Sequence, residues 1–141
     1  MKSDRAATQF EHRAAEALKA LLEQVSAVKL KEMKTEPPVR GRAAEILVQI
    51  DIYGRSHTLA CEVNADTRPS KVRASLKKLR DCAAHLAGEA TPVFIAPYLS
   101  PEAQAICKES HAGFLDLEGN ARLSVGEVFI GKRSMRQQSA A

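Results

Sequence analysis

The chain has 141 residues, of which 45% are hydrophobic and 27% charged, with a formal net charge of +4 at pH 7. This length suits a single domain that buries roughly 68% of its unfolded surface, so neither disulfides nor a structural metal are needed to hold a core. Aromatic residues make up only 4% of the chain and tryptophan is absent, which argues against base-stacking platforms and so against a single-stranded nucleic-acid binder built on aromatics.

The cysteines predict a reducing compartment. Cys61, Cys82 and Cys107 form no C-x-x-C pair, and each lies in an apolar pattern, which is typical of reduced core residues in a cytoplasmic protein. The N-terminal stretch MKSDRAATQFEHR has no apolar signal region, and no run approaches the ~18 apolar residues of a membrane span. We therefore expect neither secretion nor membrane insertion.

The first elements in chain order are a helix and an edge strand. An amphipathic helix is predicted from about Thr8 to Gln24, because a capping box precedes a helical stripe of apolar residues. Residues 25–34 alternate weakly as an edge strand, and residues 35–42 predict a loop because paired prolines break both helices and strand ladders. Arg40 and Arg42 in this loop are candidate phosphate contacts.

The segment 44–64, AEILVQIDIYGRSHTLACEVN, predicts two alternating strands that form a hairpin. A two-residue turn at Gly54 and Arg55 fits glycine at the first central position of a mirror-image turn. With this turn, Glu45 lies opposite Asn64 and diagonal to Glu62, with the alpha carbons of the two glutamates roughly 7–8 Å apart. Two carboxylates at this separation can share a cation.

Asp51 lies on the same predicted face as the two glutamates but is not part of this pair. It is six residues from Glu45, or about 20 Å at a strand rise of ~3.4 Å per residue. We therefore assign it to a solvated hairpin tip.

These residues resemble the PD-(D/E)xK nuclease superfamily, which has an acid on one strand and acid-x-Lys on the next. In this resemblance Glu45 takes the first acid, Glu62 the second, and Asn64 the lysine position. The resemblance covers roughly residues 8–131, and the stretches 92–98 and 113–120 look like those of small bacterial members. It implies a restriction-endonuclease-like α/β fold, with a mixed central sheet flanked by helices, and Mg²⁺-dependent cleavage of phosphodiester bonds at Glu45 and Glu62.

The chain departs from the superfamily pattern at Asn64. Asparagine can hydrogen-bond a water or a phosphate oxygen but cannot supply the positive charge of the motif lysine. The following helix contains Lys71, Lys77 and Lys78, any of which can replace that charge. The sequence is thus compatible with a slow nuclease, a nuclease with a relocated lysine, or an inactive one retained for binding.

A basic helix is predicted from the start signal at residues 66–70 to near Gly88. Arg73 and Lys77 line one flank of its apolar stripe, and Lys71 and Lys78 line the other. We predict that Lys77 and Lys78 assist catalysis and that Lys71 and Arg73 contact nucleic acid. Solubilising charges beside a buried stripe would give the same pattern.

The remaining chain predicts a strand at 92–96, a helix from 101 to about 111 and a strand at 114–117, which together form a parallel crossover. Two short strands follow at 121–125 and 128–130. We place Asn120 in the turn that precedes them. The domain is predicted to span residues 1–131, and residues 132–141 are predicted to be a disordered tail.

The sequence predicts a nuclease-like domain that binds nucleic acid, with Mg²⁺-dependent cleavage weakened or lost because of Asn64. The alternative is a non-catalytic module on the same fold, which binds DNA through its basic helix or forms a homodimer through a sheet edge. A third interpretation is an ordinary hairpin with two solvent-exposed glutamates.

Overall fold

The structure, a computed structural model, describes residues 2–36, 44–84 and 90–133. These residues form three helices and seven strands: α1 (Lys2–Glu23), β1 (Val28–Glu36), β2 (Ala44–Ile52), β3 (Arg55–Val63), α2 (Pro69–Ala84), β4 (Ala90–Ala96), α3 (Pro101–Glu109), β5 (Gly113–Asp116), β6 (Ala121–Val125) and β7 (Val128–Lys132).

All seven strands form one sheet, and their order in the sheet follows the chain. The pairs β3–β4 and β4–β5 are parallel, whereas the other neighbours are antiparallel. The predicted α/β fold with a mixed central sheet flanked by helices is therefore confirmed, and it is consistent with a nuclease-like fold. The predicted edge strand, parallel crossover and final strand pair are confirmed as well.

Helix α1 covers one face of the sheet. Its stripe, which includes Leu18 and Leu22, packs with apolar residues of β2 through β7 in the larger hydrophobic core. The sheet curls around this core, since a Cβ added at Gly126 of the β6–β7 turn would lie only 3.0 Å from the ring of His57 on β3.

Helices α2 and α3 pack on the opposite face, which we call the α2 face. Val72 and Leu76 of α2 join Phe94 of β4, Phe114 of β5 and apolar residues of α3 in a second core. Serine caps α3, because the Ser100 hydroxyl accepts a hydrogen bond from the backbone N–H of Ala103. The two parallel connections thus place both helices on the face that also carries the predicted acids.

The predicted hairpin turn is wrong by one position. The turn residues are Tyr53 and Gly54, with φ values of 50° and 83°, so that Ile52 pairs with Arg55. Positive φ at both central residues is the type I′ geometry, whose twist matches that of the flanking strands. The pairing therefore shifts by two residues, which leaves every side chain on its predicted face but puts Glu45 opposite Glu62 instead of Asn64.

Other predicted element ends change too. Helix α1 begins at Lys2, so the predicted capping box at Thr8 lies inside it. Strand β1 continues to Glu36, into the predicted loop, and β7 ends at Lys132, two residues beyond the predicted strand end. Apart from Lys132 and Arg133, the predicted disordered tail lies outside the described residues, as do Arg40 and Arg42. No helix in the described ranges is long and apolar enough to span a membrane.

Candidate functional site

The candidate site is a pair of glutamates on the α2 face of the central hairpin. Glu45 of β2 and Glu62 of β3 are direct cross-strand partners. Side chains in that relation have Cβ atoms about 4.5–5.5 Å apart, which is closer than the predicted diagonal arrangement. Glu36 of β1 is in turn the register partner of Glu45, so glutamates occupy successive pairing positions on three neighbouring strands. The edge position of Glu36 was missed because the sequence predicted a loop there.

Glu62 is a buried acid with an unmet hydrogen-bonding requirement. Its side chain is only 9% exposed, and its Oε2 atom has no hydrogen-bond partner among the described residues. Burial raises the pKa of Glu62, and the neighbouring charge of Glu45 raises it further. Hydrogen bonding from Ser75 and Asn64 and the positive charge of Lys78 lower it in part. The described protein groups therefore do not fully compensate the negative charge of an ionised Glu62.

Asn64 shapes the connection between β3 and α2. Its Oδ1 accepts a hydrogen bond from the backbone N–H of Asp66 at 2.9 Å, and its Nδ2 donates to the Ser75 hydroxyl at 3.4 Å. Its own backbone N–H donates to the carbonyl of Ile95 on β4. The residue at the lysine position of the motif thus forms a turn of the kind that asparagine favours, and it also orients the serine beside Glu62.

Ser75 is a site residue that the sequence interpretation missed. It is 7% exposed and lies within the otherwise apolar buried stripe of α2, between Val72 and Leu76. Buried hydroxyls generally require hydrogen-bonding partners. A serine inside a clean apolar stripe was therefore the signal that this part of α2 faces polar groups on the sheet.

The lysines and arginines of α2 are divided between two flanks. Lys78 lies on the flank that faces the carboxylates, since its charge lowers the pKa of Glu62. Lys71 is one helical turn from Ser75 and two turns from Lys78, and it is exposed on that flank. Arg73 and Lys77 instead line a cavity of about 420 Å³ that also includes Ser110 beyond α3. Of the two predicted catalytic lysines, the structure thus brings Lys78 but not Lys77 toward the acids.

Two other carboxylates, those of Asp66 and Asp51, are left out of the site because each already forms an ion pair. Asp66 binds the guanidinium of Arg68 at 2.6 Å, which lowers the pKa of Asp66 to about 2. Asp51 forms an ion pair with Lys31 at 3.4 Å, at the opposite end of β2 from Glu45. The assignment of Asp51 outside the carboxylate pair therefore agrees with its position.

The described side chains at this place offer a cation the two carboxylates of Glu45 and Glu62. The described residues contain no group of three or more histidine, cysteine, aspartate or glutamate side chains arranged to hold a metal ion. Mg²⁺ is nevertheless commonly held by one or two carboxylates together with waters and substrate phosphates. The pair of glutamates, with its unpartnered oxygen, fits that mode of binding.

A second buried carboxylate, Asp116 at the end of β5, has the opposite character. It is 1% exposed and accepts four hydrogen bonds, two of them from the backbone and side chain of Asn120 and the others from the backbone N–H groups of Leu99 and Glu118. Asn120 lies beside the predicted turn as expected. All of the acceptor capacity of Asp116 is used to join the β4–α3 and β5–β6 connections, so it is a structural residue.

Similarity to known proteins is found at the level of structure. No family model matches the sequence, and no curated protein matches it. The solved structure of EndoMS in apo form is similar over 74% of this chain, with 13% sequence identity and a TM-score of 0.42. The chain spans 45% of the length of that protein.

Proposed function

We propose that this chain is a nuclease-like domain that acts on nucleic acid, with Glu45 and Glu62 as ligands of a divalent cation, Mg²⁺ or Mn²⁺. The observation that carries this proposal is the buried, unpartnered Oε2 of Glu62 directly across the hairpin from Glu45. An isolated buried carboxylate of this kind is costly to keep ionised. A cation between the two glutamates would compensate both charges.

Each residue around the pair has a distinct role in this proposal. Glu45 and Glu62 hold the cation, and Ser75 orients Glu62 through hydrogen bonding. Lys78 provides a positive charge that lowers the pKa of Glu62, and we assign it the charge-stabilising role of the motif lysine. When bound, the cation supplies Lewis-acid polarisation of a phosphate and a water of lowered pKa.

The position of Asn64 supports a relocated lysine over a direct substitution. Both polar ends of the Asn64 amide already have hydrogen-bond partners in the turn and in α2. An ammonium group supplied by α2 therefore suits this site better than asparagine as a source of charge. In this form the chain would be a degenerate member of the PD-(D/E)xK superfamily.

A second candidate function is favoured by the same residue. Without a lysine at position 64, the fold can serve as a non-catalytic module that binds nucleic acid or forms a homodimer. Lys71, Lys78, Arg73 and Lys77 are exposed on both flanks of α2 and can contact phosphate in either case. The buried free thiols of Cys61 and Cys107 are in keeping with the predicted cytoplasmic location.

The test combines cation binding with cleavage. Calorimetric titration with Mn²⁺ should show binding to the wild-type protein and its loss in Glu62→Gln and Glu45→Gln. Asp51→Asn, which removes a carboxylate from the same face, is the matched control and should bind as the wild type does. Single-stranded and duplex DNA and RNA are then incubated with Mg²⁺ or Mn²⁺, and cleavage should disappear in Glu62→Gln.

The outcomes separate the two candidates. Cation binding with cleavage supports the nuclease. Nucleic-acid binding that is salt-dependent and insensitive to chelator, without cleavage, supports the binding module. Absence of cation binding in the wild-type protein would refute the proposed role of the glutamate pair. Asn64→Lys adds a positive test, since an ammonium at the motif position should raise cleavage if the pair is catalytic.

A further inference from the structure

A second polar surface lies on the α2 face beyond α3, where β6 and β7 end the strand order that has the glutamate pair on β2 and β3. A cavity of about 300 Å³ there is lined by Lys108, Arg122, Phe129 and Arg133, among other residues. An adjoining cavity of about 320 Å³ shares Lys108 and Arg122. We call these four residues the hairpin surface, because three of them belong to or follow the β6–β7 hairpin. No carboxylate is among the residues that line either cavity.

The aromatic ring of Phe129 is a conspicuous part of this surface. Its side chain is 60% exposed, and the guanidinium carbon of Arg122 lies 5.2 Å from the ring centroid. The ring also lies over Gly131, where an added Cβ would be 3.1 Å from the ring atom Cε1. Cation–π contact and the lack of a side chain at Gly131 thus hold the ring in place while much of it stays in solvent.

The cations of the hairpin surface are available to an external anion. Within the described residues, none of Lys108, Arg122 and Arg133 forms an ion pair with a carboxylate. By contrast, Lys132 at the edge of the same cavity donates a hydrogen bond to the Gln24 side chain of α1. Uncompensated cations that surround an exposed aromatic ring match a ligand carrying both negative charge and a planar group.

We propose that the hairpin surface binds single-stranded nucleic acid, with one unpaired base stacked on Phe129 and the adjacent phosphates bound by Lys108, Arg122 and Arg133. An acidic peptide would use the cations and leave the ring without a partner. A duplex keeps its bases stacked inside, so it would also leave the ring unused. The choice of nucleic acid as ligand rests on the proposed function, whereas the surface itself shares no residue with the glutamate pair.

The proposed surface is small, in agreement with the low aromatic content of the chain. A single exposed ring accommodates one base, and three cations accommodate the phosphates on either side of it. The expected mode is therefore capture of an unpaired end or a short single-stranded segment, and not coverage of a long strand by many rings.

The experiment measures fluorescence anisotropy of a short labelled oligothymidylate with the full chain in chelator. Phe129→Leu should weaken binding by about 5- to 100-fold, the range found for loss of one base–aromatic stack. Arg122→Gln should weaken binding and lower the slope against log salt by about 0.7, the value for one phosphate contact on a single strand. Phe129→Trp should keep or tighten binding, and thermal melting shows that each variant is folded.

Matched controls come from the β2–β3 turn, whose residues line neither cavity of the hairpin surface. Tyr53→Leu removes the other exposed large aromatic residue, and Arg55→Gln removes an exposed arginine. Both should bind as the wild type does. The proposal is overturned if Phe129→Leu binds unchanged, if a duplex of equal length binds as tightly as the single strand, or if polyglutamate competes equally well, because each result leaves the ring without a role. Absence of any binding by the wild-type protein overturns it too.

The two proposals fail in distinguishable ways. Glu62→Gln should retain full affinity for the oligothymidylate in chelator, because the hairpin surface requires no cation. Absence of cation binding in the wild-type protein, with retained binding of the single strand, would refute the role of the glutamates alone. Binding of the oligothymidylate that is unaffected by Phe129→Leu, in a protein that still binds the cation through its glutamates, would refute the hairpin surface alone.

Discussion

Glu62→Gln is expected to stabilise the protein in the absence of divalent cations. The ionised carboxylate of Glu62 is buried at 9% exposure and has one oxygen without a partner. A buried group left unsatisfied in this way destabilises a protein by about 1–3 kcal/mol, and the neutral glutamine amide removes the charge while keeping the shape. For a domain of this length, that difference corresponds to a rise in Tm of about 3–10 °C.

The stabilisation depends on pH in a defined direction. Because burial raises the pKa of Glu62 above its usual value, the folded protein binds this proton more tightly than the unfolded chain does. The stability that the wild type gains from protonated Glu62 is therefore fully present below the ordinary glutamate pKa of about 4.3. It is lost as the pH rises through the raised pKa that Glu62 has in the folded protein. The glutamine variant lacks this loss, so the difference in Tm should be small near pH 4 and largest near pH 8.

Thermal unfolding in chelator across this pH range measures the effect. Asp51→Asn is the control, and because its ion pair with Lys31 is partly exposed we expect it to change stability by less than about 1 kcal/mol. A glutamine variant no more stable than wild type at pH 8, or a difference that is constant with pH, would refute the reasoning. Adding Mn²⁺ at 100 times its Kd should stabilise the wild type by about 2.7 kcal/mol and leave the variant unchanged.

Three other changes test the roles assigned above. Asp116→Ala should destabilise the fold by about 3 kcal/mol or more in urea denaturation, since four donors lose their acceptor, and a loss under about 1 kcal/mol would contradict its structural role. Lys78→Met should raise the titration midpoint of Glu62 in carboxyl ¹³C NMR, because the positive charge that lowers its pKa is removed; an equal effect of Lys77→Met would remove the distinction between the flanks. In a Cys82→Ser variant, the thiols of Cys61 and Cys107 should resist a disulfide reagent at pH 8. The reason is that burial raises the pKa of Cys107 to about 12 and also raises the pKa of Cys61. Rapid labelling of the folded protein would show that these thiols are accessible and would contradict the prediction.

The order and type of the elements could be predicted from the sequence because they depend on local signals. Strict alternation marked β2 and β3, proline at the first helical position marked the start of α3, and the strand–helix–strand order indicated a parallel crossover. Among the residues that the structure describes, the disagreements concern element ends and the register of the hairpin. Those depend on pairing with a neighbour, as Glu36 shows, whose place in β1 is set by its register with Glu45.

The faces of the hairpin were also determined by the sequence, but its register was not. A shift of two residues keeps every side chain on its face, so alternation fits both registers equally well. The turn geometry decided between them, because Tyr53 adopts a positive φ, which is uncommon for a residue other than glycine. The glutamates are consequently direct neighbours and not diagonal ones.

The sequence by itself determined that Glu45, Glu62 and Asn64 share one face, that a helix with cations on both flanks follows them, and that the charge of a motif lysine is missing. Only the tertiary structure decided that α2 buries Glu62, that Ser75 and Lys78 are the groups that act on it, and that Phe129 stays exposed beside Arg122. The physical reason is that alternation and helical period are properties of neighbouring residues. Burial and electrostatic coupling arise between elements far apart in the chain, once they pack against one another.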